Sequence, residues 1–480
     1  MLRPRFLSMR MLAVVCVLIA LCLPLTLQAS EQPQYQNLTI LYTNDVHGHL
    51  FPFDYEGVGE LEIEVGGAAR RAALIRQLKK AAKNPVIVMD AGDVFTRGPL
   101  ADLLGVPDFD VMNAVPYDIM TLGNNEFKAT SDTQSQKILL DRIKQAKFPV
   151  VSANVTYHDT GKTIVPPYKI LDCKGIKVGV FGLTAPRVAG YEQAKGWDVS
   201  DPITTAKSIV TELRDKSDFI IALTHIAFPL DLELAKSVPG IDVIIGGDSH
   251  TWLFEPQLVK SDLPASEDWW IGGTPVCQDG EWGRSVGKLD LKLRLAANNR
   301  YKVMSYTGKL IKVDSSITPA KDIEDILSRH TKPYAGVIGK LKDTVIKAEA
   351  PAWVAECMRK AADAQIGIEP KEAIENGLKA GDVNNLDVRR MFPWVNPVVK
   401  VTITGKQLNG FISEKNSGIA GAQLRDGVLF VDNKAVEDGG EYTLAVEEFY
   451  ARSSSAFAGI KIQSVGVTTR EAIAKYLSAQ

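Results

Sequence analysis

The sequence predicts an α/β first domain followed by a smaller α+β domain, and three observations carry that prediction. Short apolar, β-branched runs recur through the first half, and five of them end in Asp, Asn or His. Helical segments alternate with those runs as far as residue 245, the pattern of βαβ units. Beyond residue 345 the alternation stops, and one helix is followed by strands without polar ends.

Residues 38–43 read as a buried strand that ends at Asp45 and His47, two metal-capable side chains two residues apart. In an open α/β sheet, ligands collect at the carboxyl ends of strands. Residues 68–83 read as an amphipathic helix with Leu74, Ile75, Leu78, Ala81 and Ala82 on one face. Strands follow at 85–90, ahead of Ala91-Gly92-Asp93, and at 118–122, ahead of Gly123-Asn124-Asn125-Glu126. Residues 149–153 precede Asn154, and 176–183 form a glycine-punctuated strand. The run 218–223 leads into Thr224-His225, and 241–245 into Gly246-Gly247-Asp248-Ser249-His250. Glycine lets the chain turn sharply and approach an ion closely. Residues 274–295 read as hairpin-like strands around Gly280 and Gly287, and 322–341 as a polar connecting helix. The second domain opens with a helix at 352–364 and continues with strands at 398–403, 427–431 and 442–446. The expected divisions are a signal peptide at 1–29, a catalytic domain at 36–315, a linker helix at 316–344 and a second domain at 345–480.

Composition narrows the function classes. The chain has 480 residues with 55 basic and 57 acidic side chains, net −2, so no basic excess favours a nucleic-acid polymer as partner. Arg3, Arg5 and Arg10 precede an apolar run, 11–27, that ends in Gln28-Ala29, the form of a cleaved secretory signal. Its loss removes three arginines and no acid, taking the charge from −2 to −5. No later segment is apolar for long enough to span a bilayer, so a periplasmic or secreted protein is expected. Cys173, Cys277 and Cys357 remain, too few for a disulfide framework, though one bridge is open to them.

The strand-end residues form a set: Asp45, His47, Asp93, Asn124, His225, Asp248 and His250. Taken singly, each has an ordinary reading. An Asp after a strand is usually a turn residue or helix cap, and a lone His is more often a satisfied core residue. Yet three of the chain's six histidines sit at such positions. Carboxylates, imidazoles and one amide suit two divalent ions such as Mn²⁺, Zn²⁺ or Fe²⁺, and not a sulfur-bound structural zinc. An ion pair of this kind activates water and holds a phosphoryl group for in-line attack.

These segments resemble the metallophosphoesterase superfamily, and their order is similar to that of its 5'-nucleotidase family, which includes UDP-sugar hydrolases. The resemblance rests on TNDVHGHL (43–50), GGAARR (66–71), DAGDVFTRGP (90–99), YDIMTLGNNEF (117–127), SANV (152–155), GVFGLT (179–184), THI (224–226) and PGIDVIIGGDSHT (239–251). It continues through AGDV (380–383), FPWVNPVVKVTITGKQL (392–408) and EEFYA (447–451), although the second domain is short for the family. The resemblance implies an αββα sandwich with a substrate-binding second domain. It also implies two metals: Asp45, His47 and His250 hold the first, Asn124, His225 and Asp248 the second, and Asp93 bridges them.

Four departures from the family pattern stand out. Where the family carries GNHEFD, this chain has Gly123-Asn124-Asn125-Glu126-Phe127-Lys128. Asn125 can donate a hydrogen bond but supplies neither proton nor charge, and such acid help is worth about a hundredfold to ten-thousandfold. Asp248 replaces a histidine of the GH-x-H pattern and shifts the donor set towards harder ions. Glu375 falls where the family places a phosphate-holding arginine and would repel phosphate; Arg389 and Arg390 lie nearby as candidate replacements, against a reading as surface charge. Phe457 aligns with one of two base-stacking phenylalanines, and Gly421 with the other.

The expected function is therefore an exported dinuclear-metal phosphoesterase, with Asp93 and Asn125 at the reacting centre and Asn125, Arg389, Arg390 and Phe457 touching a nucleotide. Two alternatives remain at this stage. One keeps the metals but acts on a phosphodiester or another non-nucleotide ester. The other is a degenerate homologue that binds without catalysis.

Overall fold

Alternating burial along the first strand, Tyr35–Thr43, sets the layering. Leu38, Ile40 and Tyr42 point into one core and Leu41 into another, as side chains of period two must. The computed structural model describes residues 34–56, 61–260, 270–412, 417–454 and 457–479, so the proposed signal peptide lies outside the described residues.

Two six-stranded sheets build the first domain. One has the order Tyr301–Lys312, Ser285–Leu295, Tyr35–Thr43, Val86–Asp90, Ile119–Thr121, Val150–Val151. The other runs Gln257–Lys260, Gly273–Cys277, Val243–Ile245, Phe219–His225, Ile176–Thr184, Tyr168–Cys173. Their inner faces meet in a dry core that includes Ile40, Ile87, Met89, Val180, Ile221, Leu223 and Ile245. Helices Ala68–Ala81, Val106–Ala114 and Gln134–Gln145 cover the outer face of the first sheet. Helices Pro202–Leu213 and Phe228–Ser237 cover the second. This is the αββα sandwich. The central strands of each sheet are parallel, so their carboxyl ends emerge on one side.

The structure corrects the reading of residues 274–295. Gly273–Cys277 belongs to the second sheet and Ser285–Leu295 to the first, so the two do not form a hairpin. The chain crosses between sheets at 278–284. Ser285–Leu295 instead pairs antiparallel with Tyr301–Lys312. Gly287 is there because the Tyr42 ring packs against its Cα, where a Cβ would collide with the ring. The connecting helix is also shorter than 322–341. It spans Lys321–Thr331 and docks Ile323 and Leu327 into the first domain's core. Pro333 ends it, because proline lacks the N–H that a helix interior requires. Val337–Leu341 then forms a strand against Gly381–Asn384.

The second domain centres on a five-stranded sheet, Ser417–Ala420, Ile366–Pro370, Glu441–Glu447, Pro397–Thr404, Ile462–Thr468, packed by helices Ala350–Ala362 and Thr469–Ser478. Val428–Val431 lies outside it, in a small three-stranded sheet. Cys173, Cys277 and Cys357 are buried free thiols. Among the described residues, no helix is long and apolar enough to cross a membrane.

Candidate metal centre

Most of the predicted ligands lie on turns that follow central strands, whereas His225 is the last residue of Phe219–His225. Asp45, His47, Asp93, Asp248 and His250 all have positive φ, between 51° and 84°. A non-glycine residue there costs about 1–2 kcal/mol. A fully buried Leu or Ile contributes about 1.5–3 kcal/mol, so a handful of inter-sheet residues offsets the strain at the turns. Gly247 allows the last approach: a Cβ there would lie 2.8 Å from His225 Nδ1 and 3.0 Å from Asp45 Oδ2.

The side chains converge. Asp45 Oδ1 lies 3.4 Å from His250 Nε2, 3.7 Å from His47 Nε2 and 3.8 Å from His225 Nε2. Asp93 Oδ2 lies 3.2 Å from His225 Nε2 and 3.7 Å from His47 Nε2. His47 Nε2 and His250 Nε2 are 3.1 Å apart, and Asp248 Oδ1 is 3.7 Å from His225 Nε2. Among the described residues, two groups have the spacing to hold a cation: Asp45, His47 and His250, and Asp45, Asp93 and His225. Asp45 is common to both, and Asp93 reaches histidines on both sides.

Outer contacts aim the ligand atoms inwards. His225 Nδ1 sits 2.7 Å from Ala91 O and His250 Nδ1 2.5 Å from Glu281 Oε2, which leaves each Nε2 with its lone pair facing the centre. Asn44 Nδ2 and the Asp248 N–H both donate to Asp45 Oδ2, at 2.8 Å each. Among the described residues, Asp45 Oδ1 and His225 Nε2 are buried without a hydrogen-bond partner. Buried carboxylates and imidazole lone pairs aimed at one point suit divalent cations with nitrogen and oxygen ligands.

The electrostatics agree. Burial would lower the His225 pKa, but Asp93 and Asp45 outweigh it and hold the imidazole well above its ordinary value. Burial would raise Asp93, yet His225 and His47 hold it well below the usual carboxylate range. Burial likewise opposes protonation of His250, but Asp45 and Glu281 push it up to about 9. His47 is lowered by burial, with Arg97 and His250 adding to the effect against Asp93. Protons thus occupy, in part, the place of a cation, and a metal bound here would displace them.

Residues that sequence reasoning missed complete the site. Glu126, fully buried, accepts the backbone N–H groups of Gly123 and Val94 at 2.7 Å and of Asp93 at 2.9 Å. It thereby locks two ligand turns together. Burial, then Asp93, raises its pKa to about 8. Its place beside Asn124 and Asn125 was the available signal. Glu281 and Trp282 arrive on the crossing between sheets, which carries no recognisable spacing; the Trp282 N–H donates to Asp45 O at 2.7 Å. Arg187, on the short 3-10 helix Pro186–Gly190 after the strand Ile176–Thr184, donates from Nη2 to Asn124 Oδ1 at 2.5 Å and from Nη1 to Asp248 Oδ2 at 2.6 Å. Asn125 donates to Asp93 through its N–H at 2.7 Å and through Nδ2 at 2.5 Å.

The second-domain candidates are placed differently. Glu375 is buried, and its Oε1 lies 3.1 Å from His49 Nε2. It joins the domains rather than facing a phosphate site. The Arg389 guanidinium is held by Asp102, at 2.6 and 2.9 Å, and lies over the Tyr334 ring. Arg390 donates to Pro52 O at 3.0 Å. Both arginines therefore fasten one domain to the other. Phe457 is 3% exposed in the second domain's core, edge-on to Tyr450, with no free face for a base.

Comparison with known proteins fits this geometry. The family described as calcineurin-like phosphoesterase matches residues 38–252, and that described as 5'-nucleotidase, C-terminal domain, matches residues 337–461. A 5'-nucleotidase of Vibrio cholerae is 29% identical over 84% of this chain and 79% of its own length. Protein UshA of Escherichia coli is 27% identical over 81% of this chain and 78% of its own. The solved structure of a 5'-nucleotidase precursor from Thermus thermophilus superposes with a TM-score of 0.66 at 26% identity, covering 92% of this chain and 96% of that one.

Proposed function

Because the chain belongs to the 5'-nucleotidase family of calcineurin-like phosphoesterases, a metal-dependent class of phosphoric-ester hydrolases, we propose that it hydrolyses nucleotide phosphate esters at a dinuclear centre, outside the cytoplasm. The observation that carries the reading is the convergence of Asp45 Oδ1 and Asp93 Oδ2 on the Nε2 atoms of His47, His225 and His250, at separations of 3.2 to 3.8 Å. Nucleotide substrates are supported by the names of the relatives, and export by the signal-like form of residues 1–29.

Divalent ions held there supply Lewis acidity, which acidifies a water and neutralises charge on a phosphoryl group. Asp45, His47 and His250 would hold one ion, and Asn124, His225 and Asp248 the other, with Asp93 between the two sets. Asn125, whose Nδ2 now donates to Asp93 Oδ2, would position a substrate oxygen through that same N–H donor. It has no proton to give, so the leaving group must depart without an acid. Esters of acidic alcohols should therefore react fastest. Arg389, Arg390 and Phe457 have no part in this reading, since other contacts occupy them.

The test is a screen of metal-stripped and metal-supplemented protein on nucleoside monophosphates, sugar nucleotides and model diesters. Chelation should abolish turnover, supplementation should restore it, and Asp93→Ala should lower it by at least a thousandfold. Undiminished activity without metal would overturn the proposal. Activity on diesters alone would reassign the substrate, and no turnover with any ion would point to a binding protein.

A further inference from the structure

Asn124 and Asp248 are part of the ligand set expected for the second ion, and in this structure a guanidinium grips both. Arg187 Nη2 donates to Asn124 Oδ1 at 2.5 Å and to Asp248 Oδ1, while Nη1 donates to Asp248 Oδ2 at 2.6 Å. The fork is two-pronged on the carboxylate, the strong geometry for an arginine and an acid. It is also held from behind: Arg187 Nε donates to the Tyr191 hydroxyl at 3.3 Å, and Lys128 lies over the Tyr191 ring at 4.2 Å. The first ion's ligands, Asp45, His47 and His250, have no such occupant among the described residues.

We propose that Arg187 is a resident cation of the second metal position, holding Asn124 and Asp248 in the absence of that ion and competing with it for them. The pairing also accounts for the departure at Asp248. An imidazole there could not receive both prongs of the fork, whereas a carboxylate can. The Asp248 side chain is only 2% exposed, so without a cation its charge would be buried and uncompensated. Arg187 is half exposed, with room to withdraw towards solvent when an ion displaces it. The two positions are therefore unequal. The first has no resident guanidinium among the described residues, whereas the second loads only as an ion pair is broken.

This inference rests on the dinuclear reading above, and direct metal binding separates the two. Metal-stripped protein is titrated with Mn²⁺ by calorimetry, with bound metal counted independently by elemental analysis. The wild type should show one tight site and a second at least tenfold weaker. Arg187→Gln removes the competing charge from a half-exposed position and should tighten the second site at least tenfold while leaving the first within about twofold. The melting temperature of Arg187→Gln in chelator should fall below that of the wild type and recover with Mn²⁺, because Asp248 then depends on the ion. Two equally tight sites in both proteins would overturn this proposal and leave the hydrolase reading standing. A weaker second site in Arg187→Gln than in the wild type would also overturn it, making the arginine a support of metal binding. Failure of both proteins to bind any Mn²⁺ would overturn the dinuclear reading itself.

Discussion

Asn125 is the residue on which the proposed chemistry turns. It donates twice to Asp93 and stands where the family carries a histidine, and Lys128 stands where the family carries an aspartate to orient it. Lys128 lies over Tyr191, well suited to packing and unsuited to holding an imidazole. Replacing both, Asn125→His with Lys128→Asp, should restore a proton donor beside the leaving group. The expected gain is at least tenfold on an alkyl phosphate and much less on a nitrophenyl phosphate, whose leaving group needs no acid. The ratio of the two rates is the measurement; an unchanged ratio would mean that proton supply does not limit turnover. The residues legible in the sequence are those whose type alone suggests a metal, such as Asp45 and His250. Arg187 is not legible, because a single arginine has no periodicity or spacing, and its meaning appears only beside Asp248.

At the scale of elements, the site is a set of strand ends tied together by one carboxylate. Glu126 receives N–H groups from the turn that carries Asp93 and from the turn that carries Asn124. Hydrogen bonds to a buried carboxyl that keeps its proton are worth about 0.5–1.5 kcal/mol each, and the three N–H groups left orphaned add to the loss. Glu126→Ala should therefore destabilise the protein by roughly 3 kcal/mol or more, read from urea unfolding, and should weaken metal binding although Glu126 is not a ligand. The strands are readable because apolar runs flanked by glycine and acid are distinctive. The 274–295 segment misleads because glycine marks a hairpin turn and a crossing between sheets alike. What separates them is which sheet each strand joins, a long-range fact that local sequence does not hold. Residues 322–341 mislead for a simpler reason: their polar composition hides the helix-breaking Pro333.

For the whole molecule, buried acids set the response to pH. Glu447, in the core of the second domain's sheet, is pushed up to about 7 by burial, against hydrogen bonds from Asn396 and Thr469. Glu369 on the adjacent parallel strand is raised further by burial and by Glu447. A carboxyl raised in the folded state keeps its proton where the unfolded chain has lost it. The folded form then binds more protons, and the contribution of Glu447 to stability falls as pH rises from about 4.5 to about 7, while that of Glu369 continues to fall above. Glu447→Gln keeps an acceptor for Asn396 and cannot ionise. It should flatten that decline and gain up to about 3 kcal/mol over the wild type at about pH 8, with little difference at about pH 4.5, as compared by urea midpoints at the two pH values. The second domain also reaches the candidate metal centre, without supplying one of the predicted ligands among its described residues. Glu375 meets His49, His49 stacks on Trp282 with centroids 4.7 Å apart, and Trp282 holds the backbone of Asp45. A first domain transplanted alone into another chain would keep every candidate ligand and lose the brace behind the foremost of them. Recombination that exchanges one half of such a protein must carry both ends of that brace, or inherit a catalytic loop with nothing to lean on.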